Sequence, residues 1–483
     1  MITKKVETFS QKNVLLNGEW RENENGERIT LTSPSTREEI GSVPALSESE
    51  VGTAVNAAKE AQRKWAKTPL HERKQLLYRW ADNLEEHKEV IGTMIMKEVA
   101  KKKSSAVDEV VRTADFIRHT AEEGVRLNGE LLTGDSYNGG PASKTAQVSH
   151  VPLGVVLAIA PFNYPLNLSA SKIAPALMTG NGVVFKPATQ GSLSGIMMME
   201  ALDQAGLPKG LVNITTGRGS EIGDTLVTHK GIDQISFTGG SETGLSLSKK
   251  AGMIPLVLEL GGKDPAIVLE DADLDKAAKE ITGGAFSYSG QRCTAIKRVL
   301  VKEEAADELV DKLKEKVEEL SVGLPEDDAD VTPLINDKGA DYVQGLIDDA
   351  IDKKAKVVTG DERKENLISP TLLDHVSTDA RIAWEEPFGP VLPIIRVTSE
   401  EEAIKIANDS EYGLQASVFT QDIDAAHRIA DQLEVGSVQL NGKTSRGPDH
   451  FPFLGVKNSG LGVQGVRYSL LSMTRQKVKV LNG

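Results

Sequence analysis

A single cysteine, Cys293, stands in Gly290-Gln291-Arg292-Cys293-Thr294-Ala295 of a 483-residue chain. A lone cysteine is by default a small apolar core residue. This one follows a helix-like run, and its neighbour Arg292 is placed to lower the thiol pKa and raise the reactive thiolate fraction. A nucleophilic cysteine needs a proton acceptor, and none of the eight histidines lies near it in sequence. Glu259 interrupts the apolar run Leu256-Val257-Leu258-Glu259-Leu260, just ahead of Gly261-Gly262-Lys263. A carboxylate there is costly unless paired or used. It is either an edge-strand side chain facing water or a general base whose pKa the apolar setting raises. The adjacent glycines would let another group approach the backbone closely. Asn163, in Pro161-Phe162-Asn163-Tyr164-Pro165, follows a strand-like run. Its amide is either a turn residue between prolines or a donor to a developing oxyanion.

Two glycine patterns lie where a strand gives way to a helix. Phe237-Thr238-Gly239-Gly240-Ser241-Glu242-Thr243-Gly244 has Leu245 where a phosphate-binding loop needs lysine, and it lacks GxGxxG spacing. Gly217-Arg218-Gly219-Ser220-Glu221-Ile222-Gly223 is one residue too long for that fingerprint. Helix N-termini attract phosphate, so each is either a dinucleotide contact or a plain turn. With no cysteine pair and no histidines at i and i+4, a metal site of the usual sort is not expected. Glu326, Asp327, Asp328 and Asp330 lack the glycine of a calcium loop and read as a solvated turn.

The elements that must position these groups are legible as patterns. Ser47-Glu48-Ser49-Glu50 fits a capping box at a helix start. Leu77, Trp80 and Leu84 recur at helical spacing, and residues 105–121 predict another helix with Val107, Val110, Val111 and Ala114 on its apolar side. From about residue 150 short apolar runs alternate with helical stretches: Val155 to Ala160, Val183 to Phe185, Val212 to Ile214, Ile235 to Phe237 and Val257 to Leu260. A second series follows at Ala266 to Leu269, Val299 to Val301, Ala416 to Phe419 and Val438 to Leu440. Such alternation predicts two α/β domains, each a parallel sheet covered on both faces. Residues 127–147 and the tail after Gly460 read as extended excursions that reach a neighbouring subunit.

A net charge of −14 argues against a nucleic-acid surface, which needs clustered Lys and Arg. The run Lys101-Lys102-Lys103 reads as a solvated helix face. No apolar run reaches the about 18 residues of a membrane span, and Met1-Ile2-Thr3-Lys4-Lys5 lacks a signal-peptide core. One cysteine allows no internal disulfide. A cytoplasmic protein with no nucleic-acid or membrane partner is expected.

Taken together, Pro161 to Pro165, Phe185-Lys186-Pro187, Phe237-Thr238-Gly239, Leu258 to Lys263, Gly290 to Cys293, Glu385-Glu386-Pro387-Phe388-Gly389-Pro390 and Phe451 to Gly460 occur in one order. Over nearly its whole length the chain resembles the aldehyde dehydrogenase superfamily, and within it the non-phosphorylating glyceraldehyde-3-phosphate dehydrogenases. The resemblance implies an α/β fold of two doubly wound parallel-sheet domains plus a small β oligomerisation arm. It assigns residues 1–126 and 148–258 to a cofactor domain, 259–440 to a catalytic domain, and 127–147 with 461–483 to the arm of a homotetramer. It implies Cys293 as nucleophile, Glu259 as base for deacylation, and Asn163 as oxyanion donor with the Cys293 backbone N–H. Lys186, Ala160, Asp224, Gly239, Glu386 and Phe388 would line the cofactor. Thr189 stands where many NAD-preferring members carry glutamate; without that carboxylate a 2′-phosphate is not repelled, which points to NADP, with NAD weaker. Many members carry tryptophan where Phe162 stands. Arg112, Tyr164, Arg292, Thr294 and Arg446 match positions that hold a phosphorylated aldehyde, since a phosphate dianion accepts bidentate bonds from guanidinium groups. The implied reaction is irreversible oxidation of glyceraldehyde 3-phosphate to 3-phosphoglycerate through a Cys293 thioester. A semialdehyde dehydrogenase of the succinic semialdehyde type is the alternative, followed by a non-catalytic protein on the same fold.

Overall fold

The computed structural model describes residues 9–482. Valine- and isoleucine-rich runs form strands and the intervening amphipathic stretches form helices, so two parallel sheets result. The first has six strands in the order Val212–Ile214, Gly182–Lys186, Val155–Ile159, Gln234–Thr238, Leu256–Glu259 and Gly460–Leu461. Its last strand alone is antiparallel to its neighbour. The chain winds one way from Val155–Ile159 and then returns to Gln234–Thr238 on the other side. That reversal opens a crevice at the carboxyl ends of these two strands, the usual place for a ligand in such sheets.

The second sheet has seven strands, with Val391–Val397, Arg298–Lys302 and Pro265–Val268 at its centre and Lys356–Thr359 antiparallel at one edge. A three-stranded antiparallel sheet of Glu130–Thr133, Lys144–Pro152 and Thr474–Asn482 stands apart. It leaves Leu131, Leu132, Val478, Val480 and Leu481 exposed. The returning strand starts at Thr474, later than the expected 461, because helix Val466–Ser472 buries Val466 and Leu470 in the core beneath the first sheet.

Local signals fare well where they are self-contained. Ser47 accepts from the Glu50 N–H at 3.3 Å, and Glu50 accepts from the Ser47 N–H at 2.9 Å, closing the capping box of helix Glu48–Trp65. The helix expected over 105–121 runs Lys103–Gly124, with Val110, Ala114, Ile117 and Ala121 fully buried. The basic run before it differs from the solvated face expected. Lys101 is buried: its ammonium bonds Glu109 and lies 3.7 Å from the Tyr164 ring centre and 4.7 Å from that of Tyr288. Glu109 also accepts from the N–H groups of Leu166 and Asn167 at 2.9 and 3.1 Å, which closes the start of helix Asn167–Met178. Lys102 pairs with Asp330 at 3.3 Å, and Asp328 accepts from the Ser104 N–H, so the acidic turn is tied to this helix start. Of the three, only Lys103 is exposed.

Removing one partner of a buried ion pair costs roughly 3–5 kcal/mol, because the other charge is left uncompensated. Lys101→Met is therefore expected to destabilise the fold by about that amount. Lys102→Met, at a half-exposed pair, should cost at most about 1 kcal/mol. Equal denaturant midpoints for the two variants would contradict this account of Lys101.

Candidate active site

Glu259 is the last residue of strand Leu256–Glu259, which is paired on one side through Thr238 and on the other through Gly460. The edge-strand alternative is thereby removed: the side chain is 3% exposed. A buried carboxylate needs donors, and Glu259 has them. Its Oε1 accepts from the Cys293 thiol at 2.8 Å and its Oε2 from the Thr238 hydroxyl at 3.1 Å. Arg446 Nη1 lies 3.5 Å from Oε2. Thr238 in turn accepts from Lys172 Nζ at 2.7 Å. Lys172 is fully buried on helix Asn167–Met178, and burial pushes its ammonium down to about 7 against the pull of Glu259.

Cys293 is delivered by a tight turn after helix Leu274–Phe286. Tyr288 and Ser289 are left-handed at φ 52° and 54°, and Gly290 follows at 72°. A side chain at Gly290 would meet the Gly389 carbonyl at 2.2 Å, so only glycine fits. The Tyr288 hydroxyl donates to the Val99 carbonyl at 2.8 Å and Ser289 to that of Thr332 at 2.8 Å, which holds the unusual backbone in place. Burial, then the charge and hydrogen bond of Glu259, push the Cys293 thiol well above its usual range. Arg292 does not offset this as expected: its guanidinium turns away to the Gly284 carbonyl. The cation that does act on the thiol is Lys297, whose ammonium bonds the Cys293 carbonyl and lies 3.1 Å from Glu386.

A cavity of about 270 Å³ is lined by Cys293, Asn163, Thr238, Glu386, Phe388 and Phe162, among others. Asn163 donates one amide hydrogen to the Gln291 carbonyl at 2.9 Å, which fixes the amide beside the cysteine with its second N–H uncommitted among the described residues. Glu386 accepts from the Gly262 N–H at 3.2 Å. A Cβ at Gly261 would lie 2.3 Å from Glu386 Oε2, so the close approach that the paired glycines allow is made by this carboxylate. Phe388 is held at φ 50° with its ring edge-on to Phe162, 6.0 Å between centroids.

The crevice of the first sheet holds a second cavity of about 600 Å³ that shares Pro161, Thr238 and Gly239 with the first. Ala160, Lys186, Asp224 and Gly239 line it, and both glycine turns open helices on its wall, Gly219–Thr228 and Ser241–Lys250. Lys186 is buried, and the Pro187 carbonyl at 3.4 Å is its one hydrogen-bond partner among the described residues. Burial lowers its ammonium to about 8. A buried cation without an anion beside two helix N-termini fits a phosphorylated dinucleotide. Asp224, an awkward neighbour for phosphate, is paired with Lys250 at 2.6 Å. Thr189 does not reach the cavity wall; its carbonyl accepts from Ser192 at 2.6 Å.

Of the five residues expected to hold a substrate phosphate, two meet directly. Arg112 Nη2 donates to the Arg446 carbonyl at 2.9 Å, and Arg446 packs its guanidinium 5.0 Å from the Phe453 ring centre. Tyr164 packs against Lys101 and Tyr288. Arg292 and Thr294 are buried, and the Thr294 carbonyl accepts from Thr444. Sequence reasoning missed Lys172, Thr238, Lys250, Lys297 and Asp449. Lys172 alone carried a signal, a lysine within the small apolar helix Ser169-Ala170-Ser171-Lys172-Ile173-Ala174.

The aldehyde dehydrogenase family model matches residues 20–479 of this chain. An NADP-dependent glyceraldehyde-3-phosphate dehydrogenase of Streptococcus equinus is 56% identical, over 97% of this chain and 98% of that protein. The protein of the same name from Pisum sativum is 53% identical, over 96% of this chain and 94% of that one. Among solved structures, NADP-dependent glyceraldehyde-3-phosphate dehydrogenase from Bacillus halodurans complexed with NADP superposes with a TM-score of 0.97 at 63% identity, covering 98% of this chain and 99% of that one.

Because the Glu259 charge raises the Cys293 thiol pKa, Glu259→Gln should lower it. Below the pKa the thiolate fraction grows about tenfold for each unit by which the pKa falls. Cofactor-free Glu259→Gln should thus be alkylated by iodoacetamide at neutral pH faster than wild type, read by mass spectrometry of Cys293. A slower reaction in the variant would refute the electrostatic role given to Glu259.

Proposed function

This chain belongs to the aldehyde dehydrogenase family, and we propose that it oxidises glyceraldehyde 3-phosphate irreversibly to 3-phosphoglycerate with NADP and water. The observation that carries the chemistry is the 2.8 Å bond from the Cys293 thiol to Glu259 in the cavity shared with Asn163. The names of the relatives at 51–56% identity support the substrate and the cofactor.

The thiol must lose its proton to solvent before it can attack; the Glu259 carboxylate, in contact at 2.8 Å, favours the protonated sulfur and is kept for the later step. As the sulfur adds to the aldehyde carbon, the developing oxyanion is assigned to the free Asn163 N–H and the Cys293 backbone N–H. NADP, when bound, supplies the hydride acceptor. A thioester then remains on Cys293. An acylated sulfur no longer donates to Glu259, which leaves that carboxylate to take a proton from attacking water. The buried Lys186, the two helix starts and Lys250 beside Asp224 would hold the phosphates of the cofactor, with Glu386 on the nicotinamide ribose and Phe388 beside the ring. Lys297 would orient Glu386. For the substrate, Arg112 and Arg446 supply the positive end.

No helix among the described residues is long and apolar enough to cross a membrane. The reading places the enzyme in the cytoplasm. The apolar side chains that the three-stranded arm exposes support assembly through that arm, as a homotetramer.

The direct test is reduction of NADP or NAD followed by absorbance with glyceraldehyde 3-phosphate, glyceraldehyde or succinic semialdehyde, without added phosphate. The highest kcat/KM is expected for NADP with glyceraldehyde 3-phosphate; a higher value for succinic semialdehyde would overturn the substrate reading. Charge-assisted bonds are worth roughly 1.5–3 kcal/mol, so Arg112→Ala should lower kcat/KM for the phosphorylated aldehyde at least about tenfold and spare glyceraldehyde. Arg446→Ala should impair both aldehydes, since Arg446 also lies against Glu259. Glu259→Gln should give a burst of reduced cofactor and then stall with an acyl adduct on Cys293, seen by mass spectrometry. Steady turnover without a burst would remove Glu259 from deacylation.

A further inference from the structure

Arg112 projects from helix Lys103–Gly124 toward the loop that carries Arg446, and it is held there by a residue with no role so far. Asp449 accepts from Arg112 Nε at 3.0 Å and from Nη2 at 2.9 Å, the parallel two-bond geometry that guanidinium and carboxylate favour. The second Nη2 hydrogen goes to the Arg446 carbonyl at 2.9 Å. Three of the five guanidinium N–H groups are thus committed. Both hydrogens on Nη1 make no bond among the described residues, so the fork is clamped along one edge and presents the other.

Asp449 is itself fixed. Its carbonyl accepts from the Val466 N–H at 3.0 Å, and helix Val466–Ser472 packs against helix Lys103–Gly124 in the same core. The clamp and its target are therefore mounted on one rigid body, and the loop between Arg446 and Asp449 is drawn onto Arg112 at both ends. We propose that Asp449 is a positioning residue for phosphorylated substrate: it aims Arg112 and fixes its distance to Arg446. This inference rests on the reading that these arginines receive the substrate phosphate.

Electrostatics alone argue the opposite sign. Arg112 and Arg446 carry two positive charges, and Asp449 and Glu259 carry two negative ones. If Asp449 merely competed for Arg112, neutralising it would tighten the binding of a dianion. Geometry wins if the value of Arg112 lies in its direction, because an arginine released from its clamp regains rotamer freedom and must lose it again on binding.

Asp449→Asn separates the two. Asparagine keeps the shape, yet its amide sets an N–H against one of the two arginine N–H groups and breaks the paired bonds. The expected result is a rise of about tenfold in KM for glyceraldehyde 3-phosphate with kcat little changed, and glyceraldehyde kinetics within about twofold of wild type. Asp449→Glu, which can keep the pair, should retain most of the selectivity, and it serves as the second variant if Asp449→Asn is poorly folded. In an Arg112→Ala background, Asp449→Asn should add no further loss of selectivity, since its target is gone. A lowered KM in Asp449→Asn, an equal loss on both aldehydes, or a further loss of selectivity in the Arg112→Ala background would overturn the proposal. If Arg112→Ala itself fails to discriminate between the aldehydes, the phosphate reading falls and this proposal with it.

Discussion

A carboxylate kept from water has to be surrounded by donors, and the placement of most groups in this site follows from how Glu259 meets that requirement. The strand that carries it must be flanked on both sides, because an edge would admit solvent. It must end at the crevice, so that the side chain leaves the sheet where Thr238 ends the neighbouring strand. The nucleophile then serves as one of the donors, and Lys172 stands behind Thr238 as the compensating charge. Removing any one of these partners leaves a polar group buried without a counterpart, so the arrangement stands or falls as a unit.

The second sheet answers a different need, which is to bring Cys293 and Glu386 to the edge of the first. Both come from turns held in left-handed or glycine-only backbone, at Tyr288 to Gly290 and around Phe388. Such backbone persists only where surrounding contacts over-determine it. Here the contacts come from Val99 and Thr332 on one side and from Phe162 on the other. Lys297 completes the connection by touching the Cys293 peptide and the Glu386 carboxylate together, so the two turns share one cation.

How far these features were legible in the amino-acid order depends on the range of the interaction involved. The capping box at Ser47 and the strand–helix alternation need only neighbours a few residues away, and they appear as written. Glu259 was legible as a chemical candidate, but its two structural readings could not be separated. The strand that closes its outer side, Gly460–Leu461, lies far along the chain and is two residues long. Lys101 was misread because three lysines in a row look solvated until Tyr164, Tyr288 and Glu109 are brought around one of them. Arg292 looked like the cation for Cys293 because it is adjacent in sequence, yet successive side chains in a tight turn diverge. Lys297, four residues on, is the one that returns. Asp449 gave no signal at all, because an aspartate in a polar loop is ordinary until its arginine arrives from a helix more than 300 positions earlier.

The ammonium of Lys186, which pairs with no carboxylate among the described residues, has a thermodynamic corollary. Lys186, with its pKa lowered to about 8 by burial, is charged in only part of the population in mildly alkaline solution. A phosphate arriving beside it favours the charged form and lifts that pKa. Above about pH 8, ligand capture is then accompanied by proton uptake at this one side chain. The heat of binding will depend on the ionisation enthalpy of the buffer, and retention of the phosphorylated dinucleotide will weaken as the solution grows more alkaline.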